Sequence, residues 1–382
     1  MQRVSFTDCF EDISRDVTKI PTDEYLSQGM YPIVDQGSDY VGGYTNSSNG
    51  LFTDVPVVVF GDHTRRFKYV NFPFFAGADG VKILAAKDGT DAQFGYYALL
   101  NQPLRSLGYS RHYKLLKGKT LPKKPLSVQR RIAGVLGAMD EKIAVNRRKI
   151  AELEALVKTV YDYWFVQFDF PDAHGRPYRS SGGKMTWNAS LKREVPDGWE
   201  VVPLSESATI TMGQSPEGSS FNETGEGTPF FQGSTDFGTV APENRVFTTA
   251  PSRMAQAGDL LLSVRAPVGA TNLALTSCCI GRGLASLRGR NCSTAFIRRV
   301  LENVSRFFAA KNVDGTTFGS LSKDELRNIK VLKPSDACLR AFDGLADAAE
   351  KQLLHLAQQI RELTLQRDVL LPLLMNGQVE VA

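Results

Sequence analysis

The sequence predicts an α+β protein made of a duplicated unit, each copy a mixed α/β domain followed by a long helix, and three observations lead there. Residues 126–164 carry one apolar seam. Ile132, Leu136, Met139, Ile143, Asn146, Ile150, Leu153, Val157, Val160 and Trp164 follow one another at alternating spacings of four and three, as a heptad helix requires. Adding 210 to each number gives Phe342, Ala346, Ala349, Leu353, Leu356, Ile360, Leu363, Arg367, Leu370 and Leu374, a second seam in the same register. The helix cores also match in sequence, Lys149-Ile150-Ala151-Glu152-Leu153 against Gln359-Ile360-Arg361-Glu362-Leu363. A repeat explains this better than two unrelated amphipathic helices.

Residues 1–125 form the first domain. Short apolar runs alternate with turn signals: Tyr31-Pro32-Ile33-Val34 and Val57-Val58-Val59-Phe60 read as strands, closed by Asp35-Gln36-Gly37 and Gly61-Asp62. Tyr96 to Leu100 reads as a short helix, and Pro122 and Pro125 mark the entry to the long one. Residues 126–168 hold the first long helix, which runs to about Phe165, roughly 58 Å at 1.5 Å per residue. A lone Asn146 in its seam either fixes register and partner choice at some cost in stability or marks a place where the helix contact loosens. Residues 169–195 lose periodicity, and Pro171, Gly175, Pro177, Ser180, Ser181, Gly182 and Gly183 make them a linker with no part in a core.

Residues 196–334 form the second domain. Thr228 to Gly233 is the counterpart of Tyr31 to Gln36. The runs 258–265 and 281–288 contain strands, each entered by a glycine turn. Phe318, Lys323 and Pro334 stand 209 residues after Tyr109, Lys114 and Pro125, so both domains join their helices in the same way. Residues 335–382 hold the second long helix, capped by Ser335 or Asp336 and ended by Pro372.

Composition sets outer bounds. At 382 residues, with 42% hydrophobic and 23% charged, the chain has room for two or three ordinary domains. It has no apolar run near the roughly 20 residues that span a bilayer, and no signal-peptide pattern at its start, so no membrane role and a cytoplasmic location are expected. Cys9, Cys278, Cys279, Cys292 and Cys338 show no CxxC pair, and with four histidines no zinc spacing arises. They read as reduced, mostly buried thiols, and no metal site is expected.

Net charge is only +4, but its distribution is uneven. Residues 92–139 contain no Asp or Glu while holding Arg105, Arg111, Lys114, Lys117, Lys119, Lys123, Lys124, Arg130 and Arg131. Residues 260–301 are again free of acid and hold Arg265, Arg282, Arg288, Arg290, Arg298 and Arg299. One basic run is commonly a solvated face; one in each copy of a repeat is the footprint of a nucleic-acid binder.

Catalytic signatures are missing. Gly118-Lys119-Thr120 resembles the end of a phosphate loop, but Tyr113 stands where its first glycine belongs and Pro122 blocks the helix that should follow. The chain has no Asn-Pro-Pro-aromatic tetrapeptide and no glycine-rich cofactor turn. Asp140-Glu141-Lys142 reads as a solvated charge group on the helix rather than as nuclease carboxylates. His63 and His112 lie near arginine rather than near a nucleophile and an orienting acid.

With these residues in view, the chain resembles the specificity (DNA-recognition) subunits of type I restriction-modification enzymes. The resemblance covers essentially the whole chain. It rests on the two-unit layout, Gln129-Arg130-Arg131-Ile132-Ala133 opening the central helix, and Tyr163-Trp164-Phe165-Val166 with Phe168-Asp169 closing it. Val195-Pro196-Asp197-Gly198-Trp199, Ala257-Gly258-Asp259-Leu260-Leu261 and Gly281-Arg282-Gly283-Leu284-Ala285 add to it. The first unit departs from the pattern: it opens on Arg3-Val4-Ser5-Phe6, and its strand at Val58 lacks the glycine-aspartate entry.

The resemblance implies two target-recognition domains, each reading one half of an asymmetric, bipartite site on double-stranded DNA, held apart by two conserved long helices paired as an antiparallel coiled coil. It implies two methyltransferase subunits and two motor-nuclease subunits as partners. S-adenosylmethionine, ATP and Mg would then sit on those partners, with no cofactor on this non-enzymatic chain. Helix-pairing residues would be Ile132, Leu136, Ile143, Asn146, Ile150, Leu153, Leu353, Leu356, Ile360 and Leu363. Candidate DNA contacts are Arg65, Arg66, Lys68, Arg111 and Lys114 in the first unit, and Gln232, Ser234, Arg265, Arg282 and Arg288 in the second. The competing reading is a coiled-coil scaffold that binds no DNA, which explains the seams but not the acid-free stretches.

Overall fold

The computed structural model describes residues 2–77, 80–106, 108, 110–304, 308 and 320–381. Tyr109 and Phe318, used above to align the repeats, lie outside them. The chain divides into two compact units, Met1–Ile143 with Glu362–Ala382, and Ala144–Arg361.

In the first unit β1 (Arg3–Ser5) runs through the helical turn α1 (Phe6–Cys9) into β2 (Phe10–Asp12). Strands β3 (Lys19–Ile20), β4 (Tyr31–Val34), β5 (Gly43–Thr45), β6 (Val57–Gly61), β7 (Phe67–Val70), β8 (Phe75–Gly77) and β9 (Val81–Ala86) follow, then α2 (Ala92–Leu100), α3 (Tyr113–Lys117), β10 (Thr120–Pro122) and the long helix α4 (Leu126–Tyr161). One sheet has the order β2-β9-β6-β7 and is antiparallel throughout. The other has the order β3-β8-β4-β5, with β8 parallel to both β3 and β4.

Strand β6 is buried along its whole length because both its faces are covered. Val58 and Phe60 join Leu84 against Phe94, Tyr97 and Ala98 of α2, while Val57 and Val59 meet Val34 and Ala76 of the other sheet. Burial on two sides requires a continuous apolar run instead of alternation, which is what Val57-Val58-Val59-Phe60 supplies. Helix α2 begins four residues before the expected Tyr96, because Asp91 Oδ1 accepts the Phe94 N–H at 2.9 Å and caps it.

Within this unit, residues 362–375 of the C-terminal helix run antiparallel to the start of α4. Ile132, Ala133 and Leu136 share a core with Leu374 and Met375, and Arg367 Nη1 lies 2.7 Å from Asp140 Oδ1. Tyr97 donates its hydroxyl to the other Asp140 oxygen at 2.6 Å. Asp140 is therefore a structural counter-charge for the one charged residue of the second seam, and not the solvated group expected from sequence. Pro372 does not end its helix, which continues to Met375. A proline this close to the end forfeits little, and Leu370, Leu371, Leu374 and Met375 gain a packed face by continuing.

The second unit repeats the architecture. Its elements are β11 (Met185–Asn188), β12 (Arg193–Pro196), β13 (Glu200–Pro203), α5 (Leu204–Ser207), β14 (Ala208–Met212), β15 (Phe221–Asn222), β16 (Thr228–Phe231), β17 (Val246–Thr248), β18 (Met254–Ala255), β19 (Leu260–Ser263), β20 (Thr271–Leu273), β21 (Cys278–Ile280) and β22 (Leu284–Gly289). Helices α6 (Thr294–Asn303) and α7 (Lys323–Asn328), strand β23 (Lys330–Lys333) and the long helix α8 (Asp336–Met375) complete it. The sheet β14-β22-β19-β20 has the order and senses of β2-β9-β6-β7. The sheet β15-β17-β16-β21-β18 again has a parallel central pair, β16 with β21, and β13 pairs with β23 as β1 does with β10. The edges differ: β15 has no counterpart in the first unit.

Here too the central strand is covered twice. Leu260 and Leu262 pack with Ala285, Leu287 and α6, while Leu261 meets Phe231 and Ile280 of the other sheet. The long helices bury Ile150, Val157, Leu353 and Leu356 together, with Leu153 and Ile360 at the margin, and Tyr161 and Phe165 meet Phe342 edge to face at 6.0 and 5.1 Å. They run antiparallel. Asn146 is fully buried and its amide nitrogen donates to Gln359 Oε1 at 3.0 Å, while its Oδ1 has no hydrogen-bond partner among the described residues, so the polar seam position is paired on one side only. Ser335 supplies the cap of α8, accepting the Cys338 N–H at 3.4 Å.

Residues 169–195 are ordered, contrary to the linker expected from their composition. Phe170 stacks on Tyr178 at 4.6 Å and on Trp199 at 5.0 Å, Asp169 accepts from both the N–H and the hydroxyl of Ser180, and β11 pairs with β12. The glycines build turns, Gly175 and Gly182 having φ of 73° and 86°, while the aromatics between them are drawn into the core.

Glu350 of α8 carries a buried carboxylate oxygen with no hydrogen-bond partner. Burial raises its pKa to about 7; Arg298 pulls it back, and Asp347 and Glu154 add to the rise. A folded-state pKa above the unfolded value means that protonation favours the fold, so this contribution is complete below about pH 4.5 and is lost as pH rises through 7. Relative to Glu350→Gln, the wild-type chain should be equally stable at pH 4.5 and about 2–3 kcal/mol less stable at pH 8, read from urea unfolding at the two pH values.

Candidate nucleic-acid interface

Parallel strands deliver their C-terminal ends to one edge, and in the second unit this creates a cleft. Strand β16 is followed by Gln232-Gly233 and β21 by Gly281-Arg282-Gly283, so Gln232 and Arg282 meet there. Gly213, Gln214, Ser215 and Pro216, following β14, and Phe221 complete an open cleft of about 600 Å³. The glycines permit the approach of the chains. A Cβ on Gly281 would stand 2.6 Å from Gln232 Oε1, one on Gly283 2.5 Å from the Gln232 carbonyl oxygen, and one on Gly213 2.2 Å from the Gly281 carbonyl oxygen. Ser215 donates its hydroxyl to Gln232 Oε1 at 2.9 Å and accepts the Arg282 N–H at 3.4 Å. The Arg282 side chain is exposed and has no partner among the described residues.

The other second-unit candidates divide. Ser234 opens a 3-10 turn two residues beyond Gln232, and Arg265 is exposed after β19, but neither lines the cleft. Arg288 is committed to the fold: its guanidinium bonds Asp259 Oδ1 at 2.6 Å, Gln256 Oε1 at 3.0 Å and the Ala257 carbonyl at 3.1 Å. It clamps the turn before β19 while its side chain stays half-exposed. Arg298 and Arg299 are buried in α6, paired with Glu154 and Glu302. The acid-free stretch is thus not one basic surface, because its counter-charges lie outside it in sequence.

In the first unit the place of Gln232 at the end of the parallel pair is taken by Asp35, after β4. Lys68 is buried and lies 3.3 Å from Asp35 Oδ1; burial lowers its pKa while Asp35 pulls it back up. Lys68 is therefore corrected from a DNA contact to an internal counter-ion. Arg65 adopts a left-handed backbone, φ 61°, in the turn between β6 and β7, and donates to the Leu104 carbonyl at 3.0 Å. Arg66, Arg111 and Lys114 are exposed, with no partner among the described residues. Buried Asp62 ties this group together, its oxygens accepting the N–H of His112 at 2.9 Å and that of Tyr113 at 2.6 Å, so the start of α3 sits against the β6–β7 turn.

Ser215 and Phe221 escaped the sequence reading. The turn signal in Gly213-Gln214-Ser215-Pro216 marks a loop, but only the pairing of β16 with β21 brings it to Gln232. Among the described residues no group of three His, Cys, Asp or Glu is placed to hold a metal, and no helix is long and apolar enough to cross a membrane.

No family model matches the sequence. A protein of Methanocaldococcus jannaschii described as a type I restriction enzyme MjaX specificity subunit is 31% identical over 286 residues, 70% of this chain and 60% of the relative. The chain is similar to the specificity subunits of type I restriction enzymes. A second M. jannaschii relative, the type I restriction enzyme MjaIX specificity subunit, is 22% identical over 327 residues, covering 79% of this chain and 72% of that one. The fold agrees: the crystal structure of a type I restriction-modification S subunit from M. genitalium superposes with a TM-score of 0.64 over 98% of this chain and 96% of that one, at 17% identity. The match to the MjaX subunit spans about three-fifths of its length. Neither the cleft nor the Arg66 group is assigned by these likenesses.

Proposed function

We propose that the chain is the DNA-reading, non-catalytic subunit of a type I restriction-modification assembly, each unit reading one half of an asymmetric bipartite site. The observation that carries this is the repeat itself. Two units of matching topology end their parallel strand pairs in different chemistry, Asp35 in one and Gln232 with Arg282 in the other. Matching frames with unlike tips suit two unlike half-sites. Exposed, unpaired Arg66, Arg111 and Lys114 supply cations for the phosphate backbone, which a scaffold without DNA would not need.

On this reading two methyltransferase subunits, and in the full enzyme two motor-nuclease subunits, dock on the chain, which works in the cytoplasm. S-adenosylmethionine, ATP and Mg belong to those subunits. A net charge of +4 is small for a protein that must grip many phosphates, so the chain alone should bind DNA weakly and the methyltransferase-bound chain tightly. Electrophoretic titration of that complex against duplex at about 50 and 200 mM salt tests this. If six to ten phosphates are contacted, affinity should fall roughly 10³- to 10⁵-fold between the two. A complex that shifts no duplex at either salt would refute the reading.

A further inference from the structure

The cleft of the second unit contains an amide whose orientation is set by a neighbour. Ser215 Oγ accepts the Arg282 backbone N–H, which leaves its own proton for Gln232 Oε1 at 2.9 Å. One lone pair of Gln232 Oε1 is thereby taken, and the oxygen lies against Gly281, where a Cβ would stand 2.6 Å from it, so the carbonyl faces the cleft wall. Its NH₂ side has no partner among the described residues, and neither has the Arg282 guanidinium on the same cleft. Both groups are donors.

A glutamine reads adenine by offering one donor to N7 and one acceptor to the N6 amine, whereas guanine presents two acceptors, N7 and O6, and takes donors only. We propose that Ser215 is a positioning residue that fixes the Gln232 amide so that the cleft presents donors alone, selecting guanine and rejecting adenine at one position of the second unit's half-site. This rests on the reading of the chain as a DNA-recognition subunit. The first unit differs in kind, since the equivalent Asp35 is a carboxylate already facing Lys68.

The test is base preference, read by sequencing duplexes retained from a randomised library by the full chain assembled with its methyltransferase. With the wild-type chain, the half-site position relaxed by Gln232→Ala should be a guanine. Ser215→Ala frees the amide to turn over, and the guanine-over-adenine preference there should drop roughly tenfold, within the 5- to 150-fold range of a good bidentate contact. Ser215→Thr keeps the hydroxyl and should keep the preference, which a merely structural role for Ser215 would not require. The proposal is overturned if Ser215→Ala leaves the preference intact, if Ser215→Thr loses it equally, if the relaxed position is not guanine, or if affinity falls uniformly over all sequences, as for phosphate contacts. Wild-type complexes that retain no preferred sequence would instead sink the functional reading, and this proposal with it.

Discussion

Glu154→Leu should lower the unfolding free energy by about 3–5 kcal/mol, the expected cost of removing one member of a buried ion pair. Glu154 on α4 receives Arg298 at 2.6 Å and also Arg299, whose guanidinium it contacts directly. Both arginines are buried, and among the described residues Glu302 would be their one remaining ion-pair partner, since burial pushes the nearby Glu350 toward its neutral form. Two buried cations would then share one paired carboxylate. The loss reflects stranded charge more than the worth of the pair, so Glu154→Leu combined with Arg298→Met and Arg299→Met should recover most of the stability. Urea unfolding of the three chains checks this, and a single variant within about 1 kcal/mol of wild type would show that the cluster is hydrated.

How much of this was legible in sequence depended on the range of the interaction. The seams were plain because heptad spacing is local, and Ile132, Leu136, Ile150, Leu353 and Leu356 are buried as that spacing requires. The strands at Tyr31, Val57, Thr228 and Leu260 were plain for the same reason. What sequence could not show was which charges are spent internally. Lys68, Arg298 and Arg299 read as surface cations, yet they are buried and their partners Asp35 and Glu154 lie 33 and up to 145 residues away. The stretch from Asp169 failed differently. Its prolines and glycines are turn formers, and composition does not separate turns in a packed segment from turns in a spacer; the aromatics Phe170, Tyr178 and Trp199 carry that information.

The second large effect concerns recognition. Arg282 is held between two glycines at a cleft, exposed and unpaired, the setting in which an arginine can form a bidentate contact to guanine worth about 1–3 kcal/mol of discrimination. Arg66 occupies an exposed turn of the other unit. If each unit reads its own half-site, the two substitutions must act on different bases. Methylation mapping of the full chain with its methyltransferase, carrying Arg282→Ala or Arg66→Ala, measures this directly. The account predicts that Arg282→Ala relaxes one half-site and leaves the other unchanged, and that any base preference altered by Arg66→Ala lies only in the opposite half. Relaxation of both half-sites by Arg282→Ala, or of the same half-site by both substitutions, would contradict it.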